Sequence, residues 1–319
     1  MIKIVDDLNI KGDELRKVIA NTIIELSKDD SKIIALEADL GAASYFNEIS
    51  RVRPENFLQC GISEANMIGV ASGLSLLGFK PLVHSFAPFI TRRCFDQIYM
   101  SAAYSKNNVN IYGSDPGYMA AANGGTHTSY EDIALIGSIP NSIICDGTDA
   151  ILTEFIIREF MKRDGVNYLR ANRKAAYNIY DKESTFEMGK ANLLREGSDI
   201  LIISSGELVR DCLIASEKLK ELGISVCILD MFTIKPIDKA AIIKYAEGKK
   251  IVLTYENHNV ENGLGSRVAN VLSENSKMPR LVRIGVDNRF GQVGPVDYLK
   301  KEYGFTVENI VNHIIKEIK

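Results

Sequence analysis

Apolar residues recur along the chain in two alternating spacings. Leu15, Val18, Ile19, Ile23 and Ile24 fall on one face of a 3.6-residue repeat, which predicts a helix over Glu14–Ser27. Ile33–Leu36 is instead a short, unbroken apolar run, the pattern of a buried strand. The same reading gives strands at Phe57–Cys60, Pro81–Phe86, Val109–Gly113, Ser142–Cys145 and Asn167–Arg170. Between them it gives helices at Glu64–Leu77, Thr91–Tyr104, Tyr130–Gly137 and Ala150–Lys162. Strand–helix alternation predicts an α/β fold with a parallel, doubly wound sheet. After Asn172 the chain turns polar and loses any period, and then the alternation restarts. Strands are expected at Ile200–Ser204, Ser225–Asp230, Lys250–Tyr255 and Leu281–Gly285. Helices are expected at Glu207–Glu221, Ile237–Ala246 and Leu264–Glu274, with a last one from Val307. The expected organisation is a first domain over 1–175, a linker over 176–190 and a second, smaller doubly wound domain over 191–319.

A length of 319 residues suits two such domains, each with its own core. The net charge of −3, without a basic stripe, argues against nucleic acid or an anionic membrane as a partner. No apolar run approaches the ~20 residues of a membrane span, and the acidic start Met1–Asp7 does not resemble a signal peptide. Cys60, Cys94, Cys145, Cys212 and Cys227 form no Cys-x-x-Cys pair. They read as reduced thiols of a cytoplasmic protein, and no metal site is expected on this chain.

The most informative stretch is Gly61-Ile-Ser-Glu64-Ala-Asn-Met67. Gly61 permits a tight turn, and Ser63 can cap the helix that follows. The helix carries small residues, among them Ala65, Gly69, Ala71 and Gly73, so another backbone can approach closely, including a second copy of the same helix. Glu64 stands in its first turn. A helix N-terminus favours the ionised carboxyl and burial the protonated one, so Glu64 is either a proton donor poised between these pulls or an ordinary first-turn cap.

Other candidates lie just past strand ends, where α/β sheets place ligands. Asp39 and Leu40 follow the first buried strand. Phe86 and Phe89 can stack a flat heterocycle or pack a core. The long Gly-rich loop after Val109–Gly113 offers Asp115, Asn123 and His127 as hydrogen-bonding groups. Arg170 and Arg173 can bind a phosphate or merely solvate the linker. His258 precedes a Gly-rich helix start and suits an anion site or a domain contact.

Taken in order, these segments resemble the C-terminal half of transketolase. Gly61–Met67 is similar to the family's Gly-Ile-x-Glu-x-x-Met segment, Ser85–Phe89 to Ser-Phe-x-x-Phe, and Gly125-Thr-His127 to Gly-x-Thr-His. Ile139–Asn141, Leu169–Arg173 and Glu256–Gly265 also fit, and the resemblance covers nearly the whole chain. It implies a pyrimidine-binding domain followed by a transketolase C-terminal domain, and a thiamine diphosphate enzyme that moves a two-carbon ketol unit between sugars. By the resemblance, Glu64 hydrogen-bonds N1′ of the cofactor's aminopyrimidine and so promotes loss of the thiazolium C2 proton. Phe89, with Phe86 beside it, stacks on the aminopyrimidine, and Asp39 and Leu40 lie near the cofactor. His127 contacts donor hydroxyls as a catalytic residue, Arg173 holds the acceptor's phosphate, and Asp115, Asn123 and His258 complete the substrate side.

The family binds the diphosphate and a magnesium (or calcium) ion through a Gly-Asp-Gly motif on a separate domain, and no Gly-Asp-Gly occurs here. The resemblance therefore implies an N-terminal partner subunit that carries the motif and the metal, in an α2β2 assembly with the Glu64 helices near a two-fold axis. The family usually has His at Asp115 and an acidic Gly-Glu-Asp-Gly where this chain reads Ala121-Ala-Asn123-Gly124. These departures alter the substrate half, so an atypical sugar is expected. The alternatives are a subunit similar to 1-deoxyxylulose-5-phosphate synthase, one similar to a 2-oxoacid dehydrogenase β subunit, or a non-catalytic assembly subunit.

Overall fold

Seven strands build the first sheet. In the computed structural model, which describes residues 1–318, their spatial order is Thr233–Lys235, Ile143–Asp146, Val166–Ala171, Val109–Ser114, Lys80–Phe86, Ile33–Glu37 and Phe57–Gln59. All run parallel except Thr233–Lys235. Side chains alternate across a strand, so Ile33 and Ala35 enter one core layer while Ile34 and Leu36 enter the other. The helices Leu15–Asp29 and Ala150–Phe160 cover the first face, and Glu64–Leu76 and Asp132–Ser138 cover the second.

The second sheet is built the same way, in the order Arg280–Val286, Ile251–Asn259, Ile200–Ser204, Val226–Asp230 and Asn192–Arg195. Only its last strand is antiparallel. Val209–Glu221 and Val307–Ile318 lie on one face, Lys239–Ala246 and Leu264–Ser273 on the other. Among the described residues no helix is long and apolar enough to cross a membrane.

Several details differ from the periodicity. Thr233–Lys235, which the pattern leaves unassigned, lies beyond the linker yet completes the edge of the first sheet. Lys11–Glu14 pairs with Ala175–Tyr177, which ties the start of the chain to the end of the first sheet's run. The helix expected over Thr91–Tyr104 is broken. Ala87–Ile90 forms one turn, Thr91–Cys94 is irregular, and the helix resumes at Phe95 and continues as a π-helical segment over Ile98–Tyr104. Phe57–Gln59 is an edge strand with Leu58 exposed, not a buried one. Ser63 does not cap its helix, because its hydroxyl donates instead to the Cys60 carbonyl at 2.7 Å.

Candidate active site

The C-terminal ends of the parallel strands in the first sheet gather most of the candidate residues. Glu37 leads to Asp39 and Leu40, strand Lys80–Phe86 ends at Phe86, Ser114 leads to Asp115, and Ala171 leads to Arg173. Registers fix this grouping, since Glu37 pairs with His84, Phe86 with Ser114, and Ser114 with Ala171. A rim of this kind is where open α/β sheets bind ligands.

Glu64 begins its helix beside this rim and is 3% exposed. Gly61, at φ +70°, makes the turn that brings it there. A buried carboxylate needs partners. Glu64 has Arg93, whose Nη1 donates to Oε2 at 2.7 Å, and a longer contact from the Ser85 hydroxyl at 3.3 Å. The Arg93 guanidinium also lies over the Phe89 ring, 4.2 Å from its centroid.

Phe86, Phe89 and His127 form one aromatic cluster. The His127 ring meets both phenylalanines edge-on, at centroid distances of 5.2 and 4.9 Å. Partial burial, reinforced by the charges of Arg173 and Arg93, lowers the His127 pKa below its ordinary value. The imidazole is therefore neutral at pH 7; its Nδ1 already meets the Thr126 hydroxyl at 3.0 Å, which leaves Nε2 for a further partner. On the far side, Arg173 lies over Phe86 at 4.7 Å and pairs with Asp115. The Asp115 carboxylate accepts from the Arg173 backbone N–H at 2.9 Å and from Nε at 2.7 Å. Asp115 adopts φ +50°, a left-handed conformation that Asp tolerates better than most residues.

Behind the rim runs a buried polar chain that strand patterning did not reveal. The Leu40 N–H donates to Glu37 at 2.5 Å, Glu37 pairs with His84 Nδ1, and His84 Nε2 meets the Ser114 hydroxyl at 3.0 Å. Glu37, His84 and Ser114 are wholly buried. The chain ties three strand ends together directly beneath Leu40, Phe86 and Asp115, and so fixes their spacing. The signal in the sequence was a glutamate and a histidine inside apolar strands.

The remaining candidates are either exposed or sealed in the interior. Asn123 is exposed at the end of a 3-10 turn. Asp39 is exposed, with its backbone N–H bonded to Gln59. His258 is 1% exposed, and its nitrogens are occupied by the Leu264 N–H and by Glu256 and Arg170, so it is a domain contact and not a group facing a substrate. Arg170 likewise neither binds a ligand nor solvates a linker. It is wholly buried between the sheets, where it donates to Asp132 at 2.9 Å, Asp146 at 3.0 Å and Asn257 at 2.9 Å. Burial opposes its charge, but the two aspartates more than offset this and its pKa is raised. The second sheet also braces the Gly-rich loop. A Cβ on Gly125 would meet the Gly291 carbonyl at 2.5 Å, and one on Gly117 the Asn257 carbonyl at 2.3 Å.

Family models match both halves of the chain: the transketolase pyrimidine binding domain over residues 12–178 and the transketolase C-terminal domain over 189–310. The chain belongs to the transketolase family. Relatives include the 6-deoxy-6-sulfo-D-fructose transketolase subunit SqwH of Clostridium sp. (strain MSTE9), 40% identical over 96% of this chain and 95% of that one. An apulose-4-phosphate transketolase subunit of Phocaeicola vulgatus is 33% identical over 95% of this chain and 97% of its own length. A solved structure titled as a split gene transketolase, inactive beta4 tetramer, superposes with a TM-score of 0.89 at 33% identity, covering 96% of this chain and 98% of the other. The match to separate transketolase subunits thus runs end to end.

The transketolase family implies thiamine diphosphate, and the rim fits one half of that molecule. Its flat aromatic face, with a buried carboxyl beside it, suits a planar ring carrying a protonatable nitrogen.

Proposed function

We propose that this chain is the pyrimidine-side subunit of a two-chain, thiamine diphosphate-dependent transketolase that moves a two-carbon ketol unit between sugars. The observation that carries the reading is Glu64, a buried carboxyl beside the Phe86–Phe89 cluster, of which Phe89 is partly exposed. When bound, the cofactor supplies a thiazolium carbon that becomes the nucleophile toward the donor's carbonyl. Glu64 holds or shares a proton at N1′ of the aminopyrimidine, and Phe89 orients that ring. Asp39 and Leu40 border it at the end of their strand. His127, a neutral imidazole against both phenylalanines with Nδ1 held by Thr126, offers Nε2 to a donor hydroxyl beside the reacting carbon. The diphosphate and its metal ion belong to a partner subunit with a Gly-Asp-Gly motif, and the α2β2 assembly places two Glu64 helices near a two-fold. The uncovered face of that helix supports this contact. Gly69 and Gly73 have open space where a Cβ would sit, and Ile62, Leu76 and Leu77 are exposed beside them. The relatives are named transketolase subunits, which favours ketol transfer over synthase or dehydrogenase chemistry.

The substrate is a sugar with an anionic end. Arg173 borders a cleft it shares with Lys11, Glu14, Arg16 and Lys174; Glu14 accepts from Arg16 at 3.0 Å, and the remaining cations leave a net positive group of the kind that binds phosphate or sulfonate. Asp115 already takes part of the Arg173 fork, which weakens its charge toward a dianionic phosphate. Asn123 offers a neutral amide where the family usually has an acid. The two named relatives carry the names of a sulfosugar and of apulose 4-phosphate, and this chain is assigned to such atypical sugars. The test is to assay the chain, reconstituted with its partner subunit, on xylulose 5-phosphate with ribose 5-phosphate and on 6-deoxy-6-sulfofructose. Turnover of the ordinary pentose phosphates at about a hundredth or less of the better substrate is expected, a gap of the size that mismatched polar contacts produce. Equal or faster pentose phosphate turnover contradicts the assignment.

A further inference from the structure

Arg93 stands where two features of the rim converge. It stacks its guanidinium on Phe89 and donates to Glu64 in the same pose. It comes from the irregular segment Thr91–Cys94, which interrupts the helix, and 47% of its side chain is exposed while that of Glu64 is 3%. An exposed ion pair contributes little, but here one partner is buried. The other contact to that carboxyl is the 3.3 Å approach of Ser85. Removing Arg93 without replacement leaves a buried carboxylate nearly unpartnered.

A flat cation lying on an aromatic ring while giving an N–H to a carboxyl reproduces the contacts assigned above to an aminopyrimidine. We propose that Arg93 is an internal placeholder that fills the pyrimidine site of the free chain and is displaced when the cofactor enters. This rests on the reading of Glu64 and Phe89 as the aminopyrimidine's partners. Displacement is an exchange in which the incoming ring restores both the stack on Phe89 and the bond to Glu64. Arg93 moves into solvent, where its guanidinium is fully hydrated, by swinging its half-exposed side chain outward from the turn at Thr91–Cys94. The device keeps Glu64 satisfied and oriented before assembly, at the expense of cofactor affinity.

Calorimetric titration of thiamine diphosphate and magnesium into the reconstituted complex tests the placeholder. Arg93→Met is expected to bind the cofactor about fivefold more tightly than the wild type, the order expected for one half-exposed charged hydrogen bond no longer broken on binding. Arg93→Lys, which keeps the charge but not the flat fork, should fall between them and guards against misfolding of the methionine variant. Phe89→Ala, by contrast, should bind about tenfold more weakly, because it removes the stacking face. If both Arg93 variants bind no more tightly while Phe89→Ala weakens binding, the placeholder is wrong and the pyrimidine site stands. If Phe89→Ala leaves affinity unchanged, the pyrimidine site itself is misplaced and the placeholder falls with it.

Discussion

Glu64→Gln is expected to lower turnover of the reconstituted enzyme by about 10²–10⁴-fold while the cofactor stays bound. The substitution preserves the shape of the side chain and an oxygen that can still accept from Arg93 Nη1. It therefore spares the shape of the site while removing the charge that pairs with Arg93 and the ability to hold or share a proton with the ring. A cap or a structural subunit has no use for that proton, and either would tolerate glutamine. The measurement pairs single-turnover or steady-state rates with calorimetric cofactor binding on the same preparation. A large loss of rate at little-changed affinity supports proton sharing. An unchanged rate makes Glu64 a cap, and a loss that follows cofactor affinity makes it a binding residue alone.

Arg170→Met is expected to produce the largest loss of stability, about 3–5 kcal/mol, because it strands charges in the interior. Arg170 joins Asp132 and Asp146 of the first sheet's layer to Asn257 on a strand of the second sheet. Ser205 and Tyr168 donate to the same two carboxylates, but neither neutralises them. Methionine matches the apolar stem of arginine, so the loss reports the charge and not a cavity. For a chain of 319 residues it corresponds to a fall of about 5–7 °C in melting temperature by calorimetry. A loss below about 1 kcal/mol contradicts a charge-bearing seam.

The parts of this protein that were legible in the sequence are those fixed by short-range pattern. Buried parallel strands such as Ile33–Glu37 and Ile200–Ser204 are almost unbroken apolar runs, and their crossover helices show a 3.6-residue period. Glu64 was legible because it follows a turn glycine and opens a helix of small residues. The parts that were not legible depend on pairing across the fold. Thr233–Lys235 has three residues, too few for a period, and is a strand only because Ile143–Asp146 presents an open edge. Lys11–Glu14 and Ala175–Tyr177 are likewise defined by each other. Arg170 and Arg173 look alike in sequence, yet one is sealed between sheets and the other reaches the rim, because residues on and past a strand end point to different places. The roles of His84 and Arg93 were invisible for the same reason, since each takes its meaning from a partner far away in the chain.

The claim that this chain primes a cofactor whose diphosphate is held by another polypeptide is tested most directly by a crystal structure. The crystal should contain the reconstituted complex with thiamine diphosphate and magnesium. The expected result is the Glu64 carboxyl within hydrogen-bond reach of N1′, the aminopyrimidine against Phe89, and the metal and diphosphate wholly on the partner. A cofactor whose ring lies away from Glu64, or whose diphosphate is bound by residues of this chain, contradicts it.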